Sequence, residues 1–368
     1  MPDRPAPPRV TMVVALYDEA RSIGACLESL ARQDYPPDSL EVLVFDGGST
    51  DGSRAIAEAY VAERPGWSVH DNPRRIQAAA WNSGIRAASG EIVGIVSGHA
   101  QLGPSYVRHV VRALEETGAD MVGGPVRATG DGPIGEAAAI AMSTPFGVGG
   151  ARHHYLTEPG EVDTVFMGAC RRETYLRFPF DERMVRNQDD ELSYRLLDAG
   201  GRIVCDPAIE STYLNRSSIP ALWRQFHDYG LWKVPVLFRH PRRARLRHLA
   251  PAGLVATAGL GLVLGTVSAS ARAATTVVLG AYLLATVGAS ARYRDRARPA
   301  SVLALCCVYP TIHAAYGVGM IQGFARYASG DRLDGTDLAT GAAASEAPRS
   351  DDGVEPPTGD REPEATTA

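Results

Sequence analysis

From residue 10 to about 213, short β-branched apolar runs alternate with stretches whose apolar positions recur every three or four residues. The runs at 10–16, 40–45, 91–96 and 120–126 predict strands. The stretches at 23–33, 54–64, 76–88 and 106–117 predict amphipathic helices. Glycine-rich turns separate them. Repeated strand–helix units imply an α/β domain with a Rossmann-like, mostly parallel sheet covered on both faces. Its expected span is 10–218, after a flexible N-terminus at 1–9.

The pattern changes after Pro220. Leu222, Trp223, Phe226 and Tyr229 recur at helical spacing among Arg224, His227 and Lys233. That fits either an amphipathic segment lying at a membrane surface over 219–248 or a helix packed on the domain. Three stretches with few charges follow at 251–270, 273–290 and 300–324. Each approaches the ~20 residues that a spanning helix needs, so 249–325 is expected to hold three transmembrane helices. Gly261 with Gly265, and Gly319 with Gly323, are small-xxx-small pairs suited to close helix packing.

The basic run at 239–248 and the arginines at 292, 294, 296 and 298 flank the spans so that both lie on one side. The expectation is a multi-pass protein of the inner or cell membrane with a cytoplasmic N-terminal domain. Residues 331–368 are acidic and rich in Pro, Thr and Ala, and are expected to form a disordered tail on the far side.

Composition adds little that is specific. The formal net charge is -5, and Lys233 is the sole lysine, so arginine abundance reflects a compositional bias. No nucleic-acid partner is expected. The five cysteines show neither CxxC pairing nor metal-type spacing with histidine, which fits free thiols in a reducing compartment. The first residues lack the apolar segment of a secretory signal.

Candidate chemistry gathers at strand ends. The run at 40–45 stops at Asp46-Gly47-Gly48-Ser49, placing a carboxylate at the edge where open α/β sheets bind ligands. Asp46 can accept from a pyrimidine N3–H, with Gly47 and Gly48 letting backbone approach; a plain turn with a helix cap explains the same residues. Tyr17-Asp18-Glu19 offers an aromatic and carboxylates for a nucleoside, or an ordinary turn. Asn187-Gln188-Asp189-Asp190-Glu191 opens a helix and offers a proton acceptor. Locally, Asn187 as N-cap and acids at the positive end of a helix account for it equally. The junction after the first strand lacks GxGxxG, and the P-loop pattern is missing too, which disfavours dehydrogenase and kinase chemistry.

Four motifs in order carry a resemblance: ALYDE at 15–19, VFDGGSTDGS at 44–53, NPRRIQAAAWNSGIRAASGEIVGIVSGHA at 72–100, and MGACRRETYLRFPFDERMVRNQDDELSYRLLDAGG at 167–201. This order resembles the family-2 glycosyltransferases of GT-A fold, and among them the membrane-bound glucosyltransferases of succinoglycan-type exopolysaccharide synthesis. The resemblance spans roughly residues 10–240.

It implies that Ala15, Tyr17, Glu19 and Asp46 contact the donor nucleoside, and that Gln77 and Asn82 line its ribose and diphosphate. Ser97-Gly98-His99 stands where the family has its Asp-x-Asp metal motif, which makes His99 the expected ligand of Mn²⁺ or Mg²⁺ and Ser97 part of the donor site. Asp189 matches the catalytic base, with Asp190 beside it. The stretch 225–233 resembles a membrane-proximal element that closes over donor or acceptor. Ser97 in place of the first metal carboxylate, and Gln188 in place of the glutamate beside the base, depart from the pattern. Loss of a carboxylate should weaken the metal site without abolishing coordination through diphosphate.

The implied reaction is a single displacement with inversion. Charge on the leaving diphosphate needs a cation, and the acceptor hydroxyl needs a base on the opposite face. Lys233 or the nearby arginines are further candidates to neutralise phosphate. The expected partners are a nucleotide-sugar donor, UDP-glucose by family analogy, membrane lipid, and a polyprenyl-diphosphate-linked saccharide acceptor. A polyprenyl-phosphate sugar synthase and a catalytically silent membrane scaffold are the alternatives.

Overall fold

The computed structural model describes residues 6–333. The expected tail from 334 onward therefore lies outside the described residues. The chain begins with β1 (Val10–Leu16), α1 (Ile23–Ala31), β2 (Leu40–Asp46), α2 (Ser53–Ala62), β3 (Trp67–Asp71), α3 (Gln77–Ala87) and β4 (Ile92–Ser97). Next come β5 (Ala100–Leu102), α4 (Tyr106–Thr117), β6 (Met121–Gly124), β7 (Arg127–Thr129), α5 (Gly132–Met142) and α6 (Pro145–Val148). They are followed by β8 (Gly160–Glu161), β9 (Phe166–Arg171), α7 (Arg172–Arg177), α8 (Gln188–Asp198), β10 (Ile203–Cys205) and β11 (Ser211–Leu214). Four long helices close the described chain: α9 (Ile219–Arg239), α10 (Leu246–Leu264), α11 (Ala269–Ala291) and α12 (Pro299–Ala328).

The main sheet has the order β3-β2-β1-β4-β9-β6-β10-β8. Parallel pairing joins β3, β2, β1 and β4, and again β6 and β10, as the strand–helix repeat predicts. β9 runs antiparallel between β4 and β6, and β8 runs antiparallel to β10. The MGAC segment was expected as a motif, not a strand; it forms β9 because two neighbours satisfy its backbone on both sides. The strand expected at 120–126 ends at Gly124, where a side chain would strike the Ile209 carbonyl. A small second sheet, β5-β11-β7, was not anticipated from the sequence.

Alternate residues of β1 feed two cores, as strand geometry requires. Val10, Met12, Val14 and Leu16 pack with Ile23, Leu27 and Leu30 of α1 and with Val107 and Val110 of α4. Val13 faces the opposite core with Ala78, Trp81 and Ile85 of α3 and Leu192 and Leu196 of α8. The near-continuous apolar runs of the central strands follow from burial on both faces.

The helices α10, α11 and α12 are each long and apolar enough to cross a membrane. Leu262 is 78% exposed and Leu284 76%, so the outer faces of α10 and α11 meet no protein. α12 differs. Val308, Ile312 and Ala315 are buried with Ala138 and Ala141 of α5 and with Leu222 and Phe226 of α9.

Part of the apolar face of α9 is therefore covered by α5 and α12, while Trp223 and Phe238 stay exposed. Three glycines set this contact. A side chain at Gly230 would strike the Tyr316 carbonyl, one at Gly319 the His227 carbonyl, and one at Gly323 the Leu231 carbonyl. The pair Gly319 and Gly323 thus does bring helices close, with α9 as partner. Gly261 similarly rests on Thr275 of α11.

Candidate active site

Parallel register fixes the first part of the site. Leu16 stands opposite Asp46 and Ala15 opposite Ser97, so the carboxyl ends of β1, β2 and β4 finish at one level. Neighbouring strands lie about 4.8 Å apart, which puts Asp46 and Ser97 roughly 10 Å from each other across β1.

The loop after β1 is sewn to the loop after β2. The Asp18 amide donates to Ser49 Oγ at 2.9 Å, the Thr50 amide to Asp18 Oδ1 at 2.8 Å, and the Glu19 amide to Ser53 Oγ at 2.7 Å. Buried Asp46 accepts the Ser49 hydroxyl at 2.6 Å. The Tyr17 ring lies against Gly47, where a Cβ would come within 2.9 Å of ring carbon Cδ2. Gly48 has φ +81°, a conformation that favours glycine. Tyr17, Asp46 and the glycine pair thus form one concave wall.

Glu19 and His99 meet at the front of this wall, with Nδ1 to Oε1 at 2.7 Å. Burial pushes the Glu19 carboxyl upward, but the bond and charge of His99, with a bond from Ser22, outweigh it and hold the group below its usual range. An ionised carboxylate only accepts, so His99 Nδ1 carries the proton and Nε2 faces away from Glu19. Carboxylate-oriented histidines of this kind are common behind metal ligands. Among the described residues no three His, Cys, Asp or Glu side chains gather to hold a metal. The donor set fits a cation held by one protein nitrogen and mainly by phosphate oxygens.

Behind His99, Gln77 Nε2 donates to Ser97 Oγ at 2.9 Å, and Gln188 Nε2 donates to Gln77 Oε1 at 2.7 Å. Gly84 makes this possible: a side chain there would collide with Val13, so its absence lets α3 lie close on β1. The three side chains link the end of β4 to the start of α8. The start of α8 is thereby tied to the carboxyl end of β4, and the Asp189 side chain lines a small pocket with Ile95, Met121, Tyr175, Phe180 and Leu192.

Asn82 does not join them. It is buried, its Nδ2 donates to the Phe180 carbonyl and Glu182 Oε1, and its Oδ1 accepts the Phe180 amide. The amide pins the 180–182 loop to α3.

The two aspartates of α8 have opposite surroundings. Asp190 is paired with Lys233 of α9. Burial pushes its carboxyl up, but the ammonium outweighs burial and holds it below the usual range. Asp189 has no such partner; burial first, then the charge of Asp190, push it up to about 6. Asp189 can accept a proton near neutral pH, whereas Asp190 is committed to its ion pair. The two aspartates expected as catalytic thus differ in how readily they take a proton, Asp190 being ion-paired. Lys233, expected as a phosphate neutraliser, is likewise occupied. Asn187 stands at the N-cap with φ +58°, but its side chain does not cap α8 and instead donates to the Tyr229 carbonyl at 3.0 Å.

α9 completes the site. Gln225 donates to the Tyr213 hydroxyl at 2.8 Å, and the Tyr213 ring meets His99 edge-on with centroids 5.4 Å apart. Four and eight residues on, Tyr229 holds Asn187 and Lys233 holds Asp190. One face of α9 therefore touches both the His99 side and the Asp189 side of the cleft. The resemblance implied an element at 225–233 that closes over donor or acceptor; which residues it would touch was not read from the sequence.

Residues 11–176 match the model of glycosyl transferase family 2. The succinoglycan biosynthesis protein ExoA of Rhizobium meliloti is 30% identical over 260 residues, covering 70% of this chain and 78% of that protein. A dolichyl N-acetyl-α-D-glucosaminyl phosphate 3-β-D-2,3-diacetamido-2,3-dideoxy-β-D-glucuronosyltransferase of Methanococcus voltae is 28% identical, covering 61% of this chain and 72% of that one. A mannosyltransferase from Pyrobaculum calidifontis, solved with GDP-Man and Mn²⁺, shares the fold at TM-score 0.57 and 22% identity over 88% of this chain and 89% of its own. With the sheet edge, the acidic helix and these likenesses taken together, the chain belongs to glycosyltransferase family 2 and carries a catalytic domain of GT-A fold.

Proposed function

We propose that the protein is an inverting glycosyltransferase that moves a sugar from a nucleotide diphosphate onto a lipid-linked saccharide at a membrane. The observation that carries the reading is the split between Asp189 and Asp190: one unpaired carboxylate raised to about 6, one held ionised by Lys233. A single proton acceptor with no second free carboxylate suits direct attack by a sugar hydroxyl. Tyr17 and Asp46 receive the nucleoside, and Gln77 with Ser97 faces the ribose and diphosphate. A bound Mn²⁺ or Mg²⁺ would offset the charge gained by the leaving diphosphate. His99, oriented by Glu19, is the residue that would hold it through Nε2.

The motif resemblance favours UDP-glucose as donor and a polyprenyl-diphosphate saccharide as acceptor. The basic residues before α10 and after α11 favour a cytoplasmic catalytic domain. Purified protein in membranes, supplied with UDP-glucose and a prenyl-diphosphate disaccharide, should release UDP and lengthen the saccharide with a β-linkage. Asp189→Asn should lose turnover while still binding donor. Near-wild-type turnover by Asp189→Asn would instead favour a polyprenyl-phosphate acceptor, whose oxygen needs little deprotonation.

A further inference from the structure

A cavity of about 270 Å³ opens where the segment 150–163, the end of α8 and the first turn of α10 meet. Arg152, Arg243 and Arg247 stand on its wall against Glu161 and Asp163. Two of the arginines are held in place: Arg243 by Asp198 at 2.8 Å and Arg247 by Asp163 at 3.0 Å. Glu161 is taken by Arg202 at 2.9 Å. Arg152 has neither ion pair nor side-chain hydrogen bond among the described residues, so one guanidinium on the wall is uncommitted.

His153 forms the inner part of the wall. Its electrostatic neighbours include Asp190 and Lys233, so the cavity backs onto the helix that carries Asp189. Burial holds its ring pKa down to about 4, with Asp190 opposing, which leaves a neutral donor at physiological pH. On the other side, Arg247 belongs to the first turn of α10, the first of the helices able to cross a membrane. Leu197 of α8 and Arg247 of α10 both line the cavity, so it lies between the helix that carries Asp189 and the first of the apolar helices. Guanidinium forks match phosphate oxygens in geometry, and a neutral imidazole adds a donor without adding charge.

We infer that this cavity receives the diphosphate of a prenyl-linked saccharide acceptor, with Arg152 as the cation that meets it. The inference rests on the lipid-linked acceptor proposed above and gives that acceptor a place. The prenyl chain runs out along α10, whose Leu260 and Leu262 are exposed, and the saccharide extends past His153 toward Asp189.

The test uses the full chain in phosphatidylcholine nanodiscs, with farnesyl diphosphate as the binding probe and UDP-glucose as the donor probe. Arg152 is exposed, so its replacement should not disturb folding. Arg152→Glu should weaken farnesyl diphosphate binding by at least about tenfold, and Arg152→Lys by clearly less, while UDP-glucose affinity stays within about twofold. Unchanged farnesyl diphosphate affinity in Arg152→Glu overturns the assignment. So does inorganic pyrophosphate binding as tightly as farnesyl diphosphate, which would mark a site for a free anion. Failure of the wild-type chain to bind any nucleotide sugar would instead sink the glycosyl-transfer reading, because the farnesyl diphosphate arm does not depend on the donor.

Discussion

Lys233 of α9 donates to Asp190 of α8, joining the helix that packs on α12 to the helix that carries Asp189. Both side chains are largely buried, at 9% and 17% exposure. The pair does two things. It keeps Asp190 ionised, and it leaves the neighbouring Asp189 without an ion pair among the described residues.

Removing the ammonium should therefore harm stability and shift the pH profile together. Lys233→Met leaves a buried carboxylate without its partner, at a cost on the order of 3–5 kcal/mol. Both Asp190 and Asp189 lose a stabilising positive charge, so their carboxyls rise, and the acidic limb of kcat/KM should move to higher pH. Thermal unfolding and a pH–rate profile measure the two effects; an unmoved acidic limb would show that Lys233 only holds helices together.

Asp189 offers a cleaner separation of activity from stability. With its carboxyl at about 6, wild-type kcat/KM should fall on the acid side with a single inflection near that pH. Asp189→Asn should cost roughly 10²–10⁴-fold in kcat. The stability effect has the opposite sign. A carboxyl raised in the folded state stabilises fully below its unfolded value near 3.9, and that contribution is lost as pH rises through the folded value. At pH 7.5 the asparagine variant should consequently unfold at a higher temperature than the wild type, and at pH 4 the advantage should vanish.

The Glu19–His99 pair predicts how a cation is held. Glu19→Gln replaces the anionic acceptor of the Nδ1 proton with a neutral amide, which weakens the bond and lowers the basicity of Nε2, so the half-saturating Mn²⁺ concentration should rise about 10–100-fold. His99→Ala should raise it at least as far. Initial rates titrated against free Mn²⁺ test this, and superimposable titrations for Glu19→Gln and wild type would sever Glu19 from cation binding.

The contact between α9 and α12 should be as sensitive as a catalytic residue. Gly319→Leu would force a side chain into the His227 carbonyl and push α9 away from α12. Overpacking of this kind costs typically about 1–3 kcal/mol. Because Gln225, Tyr229 and Lys233 share the opposite face, the variant should also lose turnover without any change to a residue in the cleft. Gly253→Leu, at a position with open space around it, serves as the control and should leave melting temperature and activity unchanged.

Much of this molecule is written locally. Continuous apolar runs in β1, β2 and β4 need burial on both faces, and only a sheet with helices on each side supplies it. The long uncharged stretches of α10–α12 declare their length whatever surrounds them. That Ala15, Tyr17, Glu19, Asp46, Ser97 and His99 are neighbours was legible because they stand at or just past strand ends, and register puts strand ends together. Partnerships across distance were not legible. Asn82 and Gln77 lie five residues apart on α3, yet one fastens a loop and the other faces the cleft, and only packing distinguishes them.

The sequence by itself determined the alternation of the first strands and helices, the gathering of acidic and glycine-rich turns at the sheet edge and the presence of apolar helices, since each follows from periodicity or from residues close in the chain. Which of two adjacent aspartates is free to take a proton was decided by the tertiary structure alone. That choice depends on a lysine some forty residues away, delivered by a helix whose position is set by glycines in α9 and α12. Burial and charge act through space, and no spacing along the chain encodes them.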